Sequence, residues 1–213
     1  VIAFTYNEAT VFAEYMIDIA REAKREGLRP VLISCGIMNE APLAELCEVL
    51  DAIKIDLKGY DEAFYRIVCG AELRPVLRSI KQIAKSRAHL EIVNLVVPTL
   101  NDSEKMLRGL IDWILGEVGP DVPLHFSRFH PDYQLRNLPP TPVATLERAR
   151  ETAMGRGLHY VYVGNVPDHS GNHTYCPSCG KAVIRRTGFF TVEMHQKNGR
   201  CGFCGGRIAG VWS

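Results

Sequence analysis

Four cysteines near the C-terminus carry the strongest chemical signal in this 213-residue chain. They stand as Cys176-Pro-Ser-Cys179-Gly and Cys201-Gly-Phe-Cys204-Gly, with twenty-one residues between the two turns. Each C-x-x-C turn brings two thiolates to one point, so the four can close a tetrahedral site. The glycine after each second cysteine suits a tight knuckle in which φ is positive. An S4 set fits zinc, and also iron of a rubredoxin-like centre; we expect zinc in a structural role. Val183–Arg186 and Phe189–Glu193 read as short ribbon strands. So small a ribbon has little core, and metal binding would supply much of its folding energy.

A second group of residues has no shared motif, but its members fall where short apolar runs end. The first run ends in Tyr6-Asn7-Glu8, the second in Ser34-Cys35-Gly36 and the third in Asp56-Leu57-Lys58. The fourth leads to Pro98 and Asn101-Asp102, the fifth ends in Arg128-Phe129-His130, and the sixth in Gly164-Asn165 before Asp168 and His169. Asp56 and Lys58 are two apart and point to the same side of an extended chain; they form either a self-satisfied ion pair or part of a ligand site. A desolvated Lys58 could form a Schiff base. Glu8 could receive a ligand ammonium, or simply cap the helix that starts near Thr10. His130 stands in a loop ahead of Pro131 and Asp132. Of the remaining cysteines, Cys47 reads as a core thiol beside Leu46 and Leu50, Cys69 precedes Gly70 at a helix end, and Cys35 lacks an evident base that would activate it.

The elements that hold these residues follow from periodicity. Val1–Tyr6, Val31–Cys35, Ala52–Leu57, Leu90–Val97, Val122–Phe129 and Leu158–Val163 are β-branched, apolar runs of strand length. Helical spacing fills the gaps. Val11, Phe12, Tyr15, Met16, Ile19 and Ala20 make one stripe in 10–26, stopped by Gly27. Pro42 opens a helix to Leu50, Glu72–Ser86 gathers Val76, Leu77, Ile80 and Ile83, Ser103 caps Glu104–Leu115, and Thr141-Pro142 opens a helix that Gly157 ends. Strands joined by helices are parallel neighbours, and their C-terminal ends share one rim, where α/β proteins bind ligands. No G-x-G-x-x-G follows a strand, which favours a (β/α) barrel, or part of one, over a dinucleotide-binding sheet.

Composition sets the outer limits. With 46% hydrophobic and 23% charged residues the chain is ordinary for a globular protein. A formal charge of +1 gives no general pull toward nucleic acid or an acidic membrane, although Arg185, Arg186, Lys197, Arg200 and Arg207 gather near the knuckles. No apolar run reaches the ~18 residues of a membrane span. Seven cysteines without a dense disulfide pattern fit a reducing cytoplasm. The first strand looks already under way at Val1, so we expect a preceding segment.

Taken together, these phrases resemble radical S-adenosylmethionine enzymes on the branch of the pyruvate formate-lyase activating enzymes, and more narrowly the radical enzyme of the AmmeMemoRadiSam system. The resemblance rests on Ala3-Phe4-Thr5-Tyr6-Asn7-Glu8, Ile55-Asp56-Leu57-Lys58-Gly59, Asn94-Leu95-Val96-Val97-Pro98, the run His125 to Tyr133, Tyr160 to Pro167, and the knuckles. It implies a partial TIM-like barrel over 1–168 and a zinc-ribbon-like tail over 169–213. It further implies that Asn7 and Glu8 hold the methionyl ammonium of S-adenosylmethionine, that Asp56 and Lys58 lie near its carboxylate and ribose, and that His130 lies near its adenosine. The implied chemistry is hydrogen abstraction by a 5′-deoxyadenosyl radical from a substrate, which in the activating enzymes is a glycine of a partner protein. Ala9 replaces the family's proline, and Cys35 stands where an asparagine precedes the glycine, which puts a ribose contact in question. The family's [4Fe–4S] cluster needs a C-x3-C-x2-C triplet, and this sequence has none, so the chain alone is expected to be inactive. Two readings compete: a cluster-free barrel enzyme using Lys58 as a Schiff base, and a binding protein acting through its ribbon.

Overall fold

Alternating apolar runs and amphipathic segments become, in the computed structural model, a mixed α/β fold; every residue except Phe189 and Ser213 is described. Strands β1 (Ile2–Phe4), β2 (Pro30–Ser34), β3 (Ala52–Asp56), β4 (His89–Val96), β5 (Leu124–Arg128) and β6 (Val161–Gly164) form a six-stranded sheet in that sequence order. A doubly wound sheet needs a point where strand order reverses; this order has none, as in a (β/α) barrel wall. The chain packs as two compact units, Val1–Val93 and Asn94–Ser213.

In the first unit β1, β2, β3 and β4 pair in parallel. The crossovers are a 3-10 turn (Ala9–Phe12) running into α1 (Ala13–Arg25), then α2 (Glu40–Val49), α3 (Glu62–Phe64) and α4 (Leu73–Ala84). Strand periodicity decides what faces what. Leu32, Ile53, Ile55, Leu90 and Ile92 are buried with Met16, Ala20, Leu43, Leu46, Val76, Ile80 and Ile83 from the helices. The alternate residues of β3 and β4, Lys54, Asp56, His89 and Glu91, lie on the other face and are only partly buried. One sheet face is therefore a helix-covered core and the other is open and charged.

Helix ends depart from expectation in two places. Pro42 is the third residue of α2 and not the first. The third N–H of a helix also lacks an intrahelical partner, so proline is tolerated there. Asp61 starts α3 by accepting from Phe64 N at 2.7 Å, and the chain continues as a π-helix over Tyr65–Cys69 to left-handed Gly70. The sequence reading marks only the end of this segment.

In the second unit, Ser103 caps α5 (Glu104–Glu117) as expected, accepting from Met106 N at 3.3 Å. Thr141, expected at the start of α6 (Val143–Gly155), does something else. Its buried Oγ1 donates to Val96 O at 2.5 Å and accepts from Phe129 N at 2.9 Å, pinning the end of β5 to the end of β4. The tail forms an antiparallel sheet, β7 (Thr174–Tyr175), β8 (Ala182–Thr187) and β9 (Phe190–Met194), and a ribbon, β10 (Gln196–Lys197) with β11 (Arg200–Cys201). Phe189, expected to begin the second ribbon strand, lies outside the described residues. Val183, Ile184 and Ile208 pack with Tyr160, whose hydroxyl accepts from Ala209 N at 2.8 Å. No described helix is long and apolar enough to cross a membrane.

Removing the Thr141 hydroxyl leaves a buried carbonyl and a buried N–H without their partner. Thr141→Val is expected to destabilise the protein by about 2–3 kcal/mol, seen as a lower urea midpoint at unchanged slope.

Candidate cofactor and metal sites

The ends of β1, β2 and β3 carry the polar groups of the first unit. Glu8 follows β1 and caps the 3-10 turn, accepting from Thr10 N at 3.4 Å and Thr10 Oγ1 at 3.0 Å. Its other oxygen accepts from Cys35 N, just past β2, at 2.8 Å. Glu8 is thus both a cap and a tie between two strand ends. Burial acts to raise its pKa, but the Cys35 N–H and thiol, with Ser34 and Thr10, outweigh that and hold it below the ordinary 4.5. Burial first, and then the hydrogen bond to Glu8, push the Cys35 thiol up. Cys35 therefore stays protonated and is not an activated nucleophile. The turn after it depends on Gly36, with φ +80°: a Cβ there would stand 2.9 Å from Ile55 Cγ2 and 3.2 Å from Val76 Cγ1.

Asp56 and Lys58 do meet. Lys58 Nζ donates to Asp56 Oδ2 at 2.9 Å, while Lys54 Nζ lies 3.3 Å from Oδ1. That second contact is an ion pair without hydrogen-bond geometry, and Asp56 Oδ1 is a buried acceptor with no hydrogen-bond donor among the described residues. Buried Tyr65 supports the pair from below, its hydroxyl accepting from Lys58 N at 3.0 Å. Burial drives the Tyr65 phenol pKa strongly up, so it remains a neutral hydroxyl. Lys54, and the His89–Glu91 pair at 3.3 Å on β4, share the open face. Sequence reasoning passed over these three. Counting back by twos from Asp56 reaches Lys54, and His89 and Glu91 alternate with Leu90 and Ile92, so the signal was present.

Asn7 is exposed beside Glu8, and the Tyr6–Asn7 peptide is cis. His130 is exposed at the end of β5, in the second unit. Other polar strand ends serve the fold. Asn101 is buried, accepting from Val97 N at 2.6 Å and donating to Leu95 O at 2.8 Å. His169 caps a short 3-10 turn and meets Glu147 at 3.1 Å.

The tail cysteines converge. All four sulfurs lie within 4.8 Å of one another, with Cys176–Cys204 at 3.7 Å and Cys179–Cys201 at 3.8 Å. A tetrahedral ion with metal–sulfur bonds of about 2.3 Å separates its sulfurs by about 3.8 Å, so the arrangement fits one ion. A cubane cluster, with each thiolate on a different iron, would hold them further apart. Gly180 and Gly205 have φ of +69° and +75°, and their N–H groups close the knuckles on Cys176 O and Cys201 O at 2.9 and 2.8 Å. Cys35, Cys47 and Cys69 are separate free thiols, and burial raises the pKa of each. They offer no triplet for an iron–sulfur cluster.

Comparison with known proteins bears on the fold and on relatedness. No protein-family model matches the chain. It is 44% identical over 209 residues to the uncharacterized protein MJ0808 of Methanocaldococcus jannaschii, covering 97% of this chain and 62% of that one. It is 24% identical over 147 residues to the pyruvate formate-lyase-activating enzyme of Clostridium pasteurianum, covering 64% of this chain and 61% of that one. A crystallised domain of a pyruvate formate-lyase-activating enzyme from Bacteroides vulgatus shares the fold with a TM-score of 0.69 at 15% identity, covering 77% of this chain and 98% of that one. The chain thus spans roughly three-fifths of the length of these two curated relatives.

Two outcomes follow. A carboxylate whose folded pKa is lowered adds stability above its unfolded value and loses it as pH falls through the folded one. Glu8→Gln should therefore cost about 1 kcal/mol at pH 7, with the gap closing well below pH 4.5 in urea unfolding. Titration of metal-free protein with cobalt(II) should saturate at about one ion per chain with sulfur-to-cobalt absorption, and Cys201→Ser should abolish that band.

Proposed function

We propose that this chain, a pyruvate formate-lyase-activating-enzyme-like radical S-adenosylmethionine protein, binds the methionyl end of S-adenosylmethionine at the strand ends of its first unit. The observation that carries the reading is an ionised, half-buried Glu8 tied to Cys35 at the end of β2, in the same unit as the Lys58–Asp56 pair. A carboxylate suits the ammonium of the ligand and a lysine suits its carboxylate. Glu8 can accept the ammonium without breaking its backbone bond to Cys35, because its other donors include hydroxyls and a thiol that rotate. Asp56 Oδ1 has acceptor capacity for a ribose hydroxyl. Asn7, next to Glu8 in the same unit, completes the proposed contacts.

S-adenosylmethionine, on one-electron reduction, supplies a 5′-deoxyadenosyl radical able to take a hydrogen atom from a substrate; in our reading that substrate is a glycine of a partner protein. The cysteines of this chain do not fit the cluster that would deliver the electron, so no step is assigned to it. What these residues do is orient the ligand: Glu8 fixes the ammonium, and Lys58, steered by Asp56 and Tyr65, meets the carboxylate. The ion pair also weighs against the Schiff-base reading, since imine formation needs a free amine. We read 169–213 as an appended module whose S4 site takes zinc as a structural ion, and the free thiols as fitting a reducing cytoplasm.

Calorimetry on the metal-loaded chain tests this. S-adenosylmethionine is expected to bind, and Glu8→Ala to weaken it at least tenfold, or about 1.4 kcal/mol, with metal content unchanged. Unaltered affinity in Glu8→Ala would refute the assignment.

A further inference from the structure

The small net charge of the chain conceals a segregation. Residues 169–213 hold Lys181, Arg185, Arg186, Lys197, Arg200 and Arg207 against a single carboxylate, Glu193, whereas the rest of the chain is acidic overall. Four thiolates around a divalent ion carry about two negative charges, which leaves the module a clear positive surplus. All these cations except Arg186 are exposed. Arg186 is committed inward, donating to Asn172 O and Thr174 Oγ1, each at 3.0 Å.

The exposed cations are placed at a cost. Arg200 and Arg207 face each other across an antiparallel bridge, an arrangement in which like charges destabilise. Among the described residues neither has an ion-pair partner, nor do Lys181 and Lys197. Arg185 meets Glu193 at 3.3 Å, and His195 shares the same carboxylate oxygen at 3.3 Å.

Aromatic rings stand among these charges. A surface recess of about 380 Å³ is lined by Tyr175, Lys181, Arg185, His195 and Phe203, among others. Phe203 is 45% exposed although it lies between two metal-binding cysteines. Lys181 Nζ stands 5.0 Å over its ring, and the His195 ring is tilted at 46° with centroids 4.9 Å apart. Phe190, on β9, is 78% exposed. An acidic protein surface would need only the cations. Exposed rings interleaved with unpaired cations match a ligand that offers both phosphates and unstacked bases.

We infer that the metal-knuckle module is a docking surface for single-stranded nucleic acid, with Arg200 and Arg207 on the phosphates and Phe203 with His195 as a stacking platform. This goes beyond the proposed cofactor site and does not depend on it.

The test is fluorescence anisotropy of the metal-loaded full chain with a labelled oligo(dT) of about 15 nucleotides. An abasic oligomer of equal charge and a poly-glutamate peptide run alongside it. Oligo(dT) is expected to bind, the abasic strand at least fivefold more weakly, and the peptide not measurably. Arg200→Gln with Arg207→Gln should weaken oligo(dT) at least tenfold and flatten the log–log salt slope by about 1.4. Phe203→Leu should weaken it severalfold at unchanged slope, and Lys105→Gln, on α5, should have no effect. Cobalt absorption verifies that each variant retains its knuckle. Absence of oligo(dT) binding overturns the inference. So does equal binding of the abasic strand, or binding of poly-glutamate, which would point to an acidic protein partner instead.

Discussion

The period-two alternation of parallel strands, with helices covering one face only, is the constraint on which the first unit depends. Once Ile53, Ile55, Leu90 and Ile92 are committed to the helix side, Lys54, Asp56, His89 and Glu91 have to share the other. A one-residue slip in β3 would bury Lys54 and Asp56 under α2 and α4. The same alternation brings Asp56 to the strand end where Lys58 can fold back onto it. Core packing and the placement of the Lys58–Asp56 pair are therefore set by one register, and the charged face needs no separate machinery to hold it.

Strand ends must also be tied, and the molecule ties them with side chains that accept backbone donors. Glu8 joins the ends of β1 and β2, and Thr141 joins the ends of β4 and β5. The two ties differ in what they leave over. Thr141 spends its only hydroxyl and is buried, so it is purely structural. Glu8 has two oxygens, remains half-buried and is held ionised, so it can tie strands and still meet a cation. Cap and ligand group, posed as alternatives for this residue, are compatible in one carboxylate.

Legibility in the sequence followed the length scale of the signal. The six strands, α1, the Ser103 cap and the knuckles were readable because each is a local pattern of period, capping residue or spacing. The π-helix over Tyr65–Cys69 was not, since no local pattern marks it; its buried Tyr65 accepts from Lys58 N, a partner seven residues away. The roles of Asn101 and Thr141 were hidden for the same reason: a buried polar side chain looks like a rim residue or a helix start until its partners are known. His89 lies one residue before the apolar run that begins at Leu90, whereas Glu91 stands inside that run and its alternation with Leu90 and Ile92 was legible. The cations of the tail were visible around the knuckles, but the net charge of +1 hid that the rest of the chain is acidic.

The central claim, that the strand ends of the first unit receive the methionyl group of S-adenosylmethionine, is tested most directly by backbone amide NMR of the metal-loaded chain titrated with that ligand. The account predicts that the amides of Cys35, Gly36 and Lys58 move first and furthest. They should move together with one saturation curve, because Cys35 N is bonded to Glu8 and Lys58 N to Tyr65. Shifts confined to residues 169–213, or amides of Cys35 and Lys58 that stay in place at saturation, would contradict it.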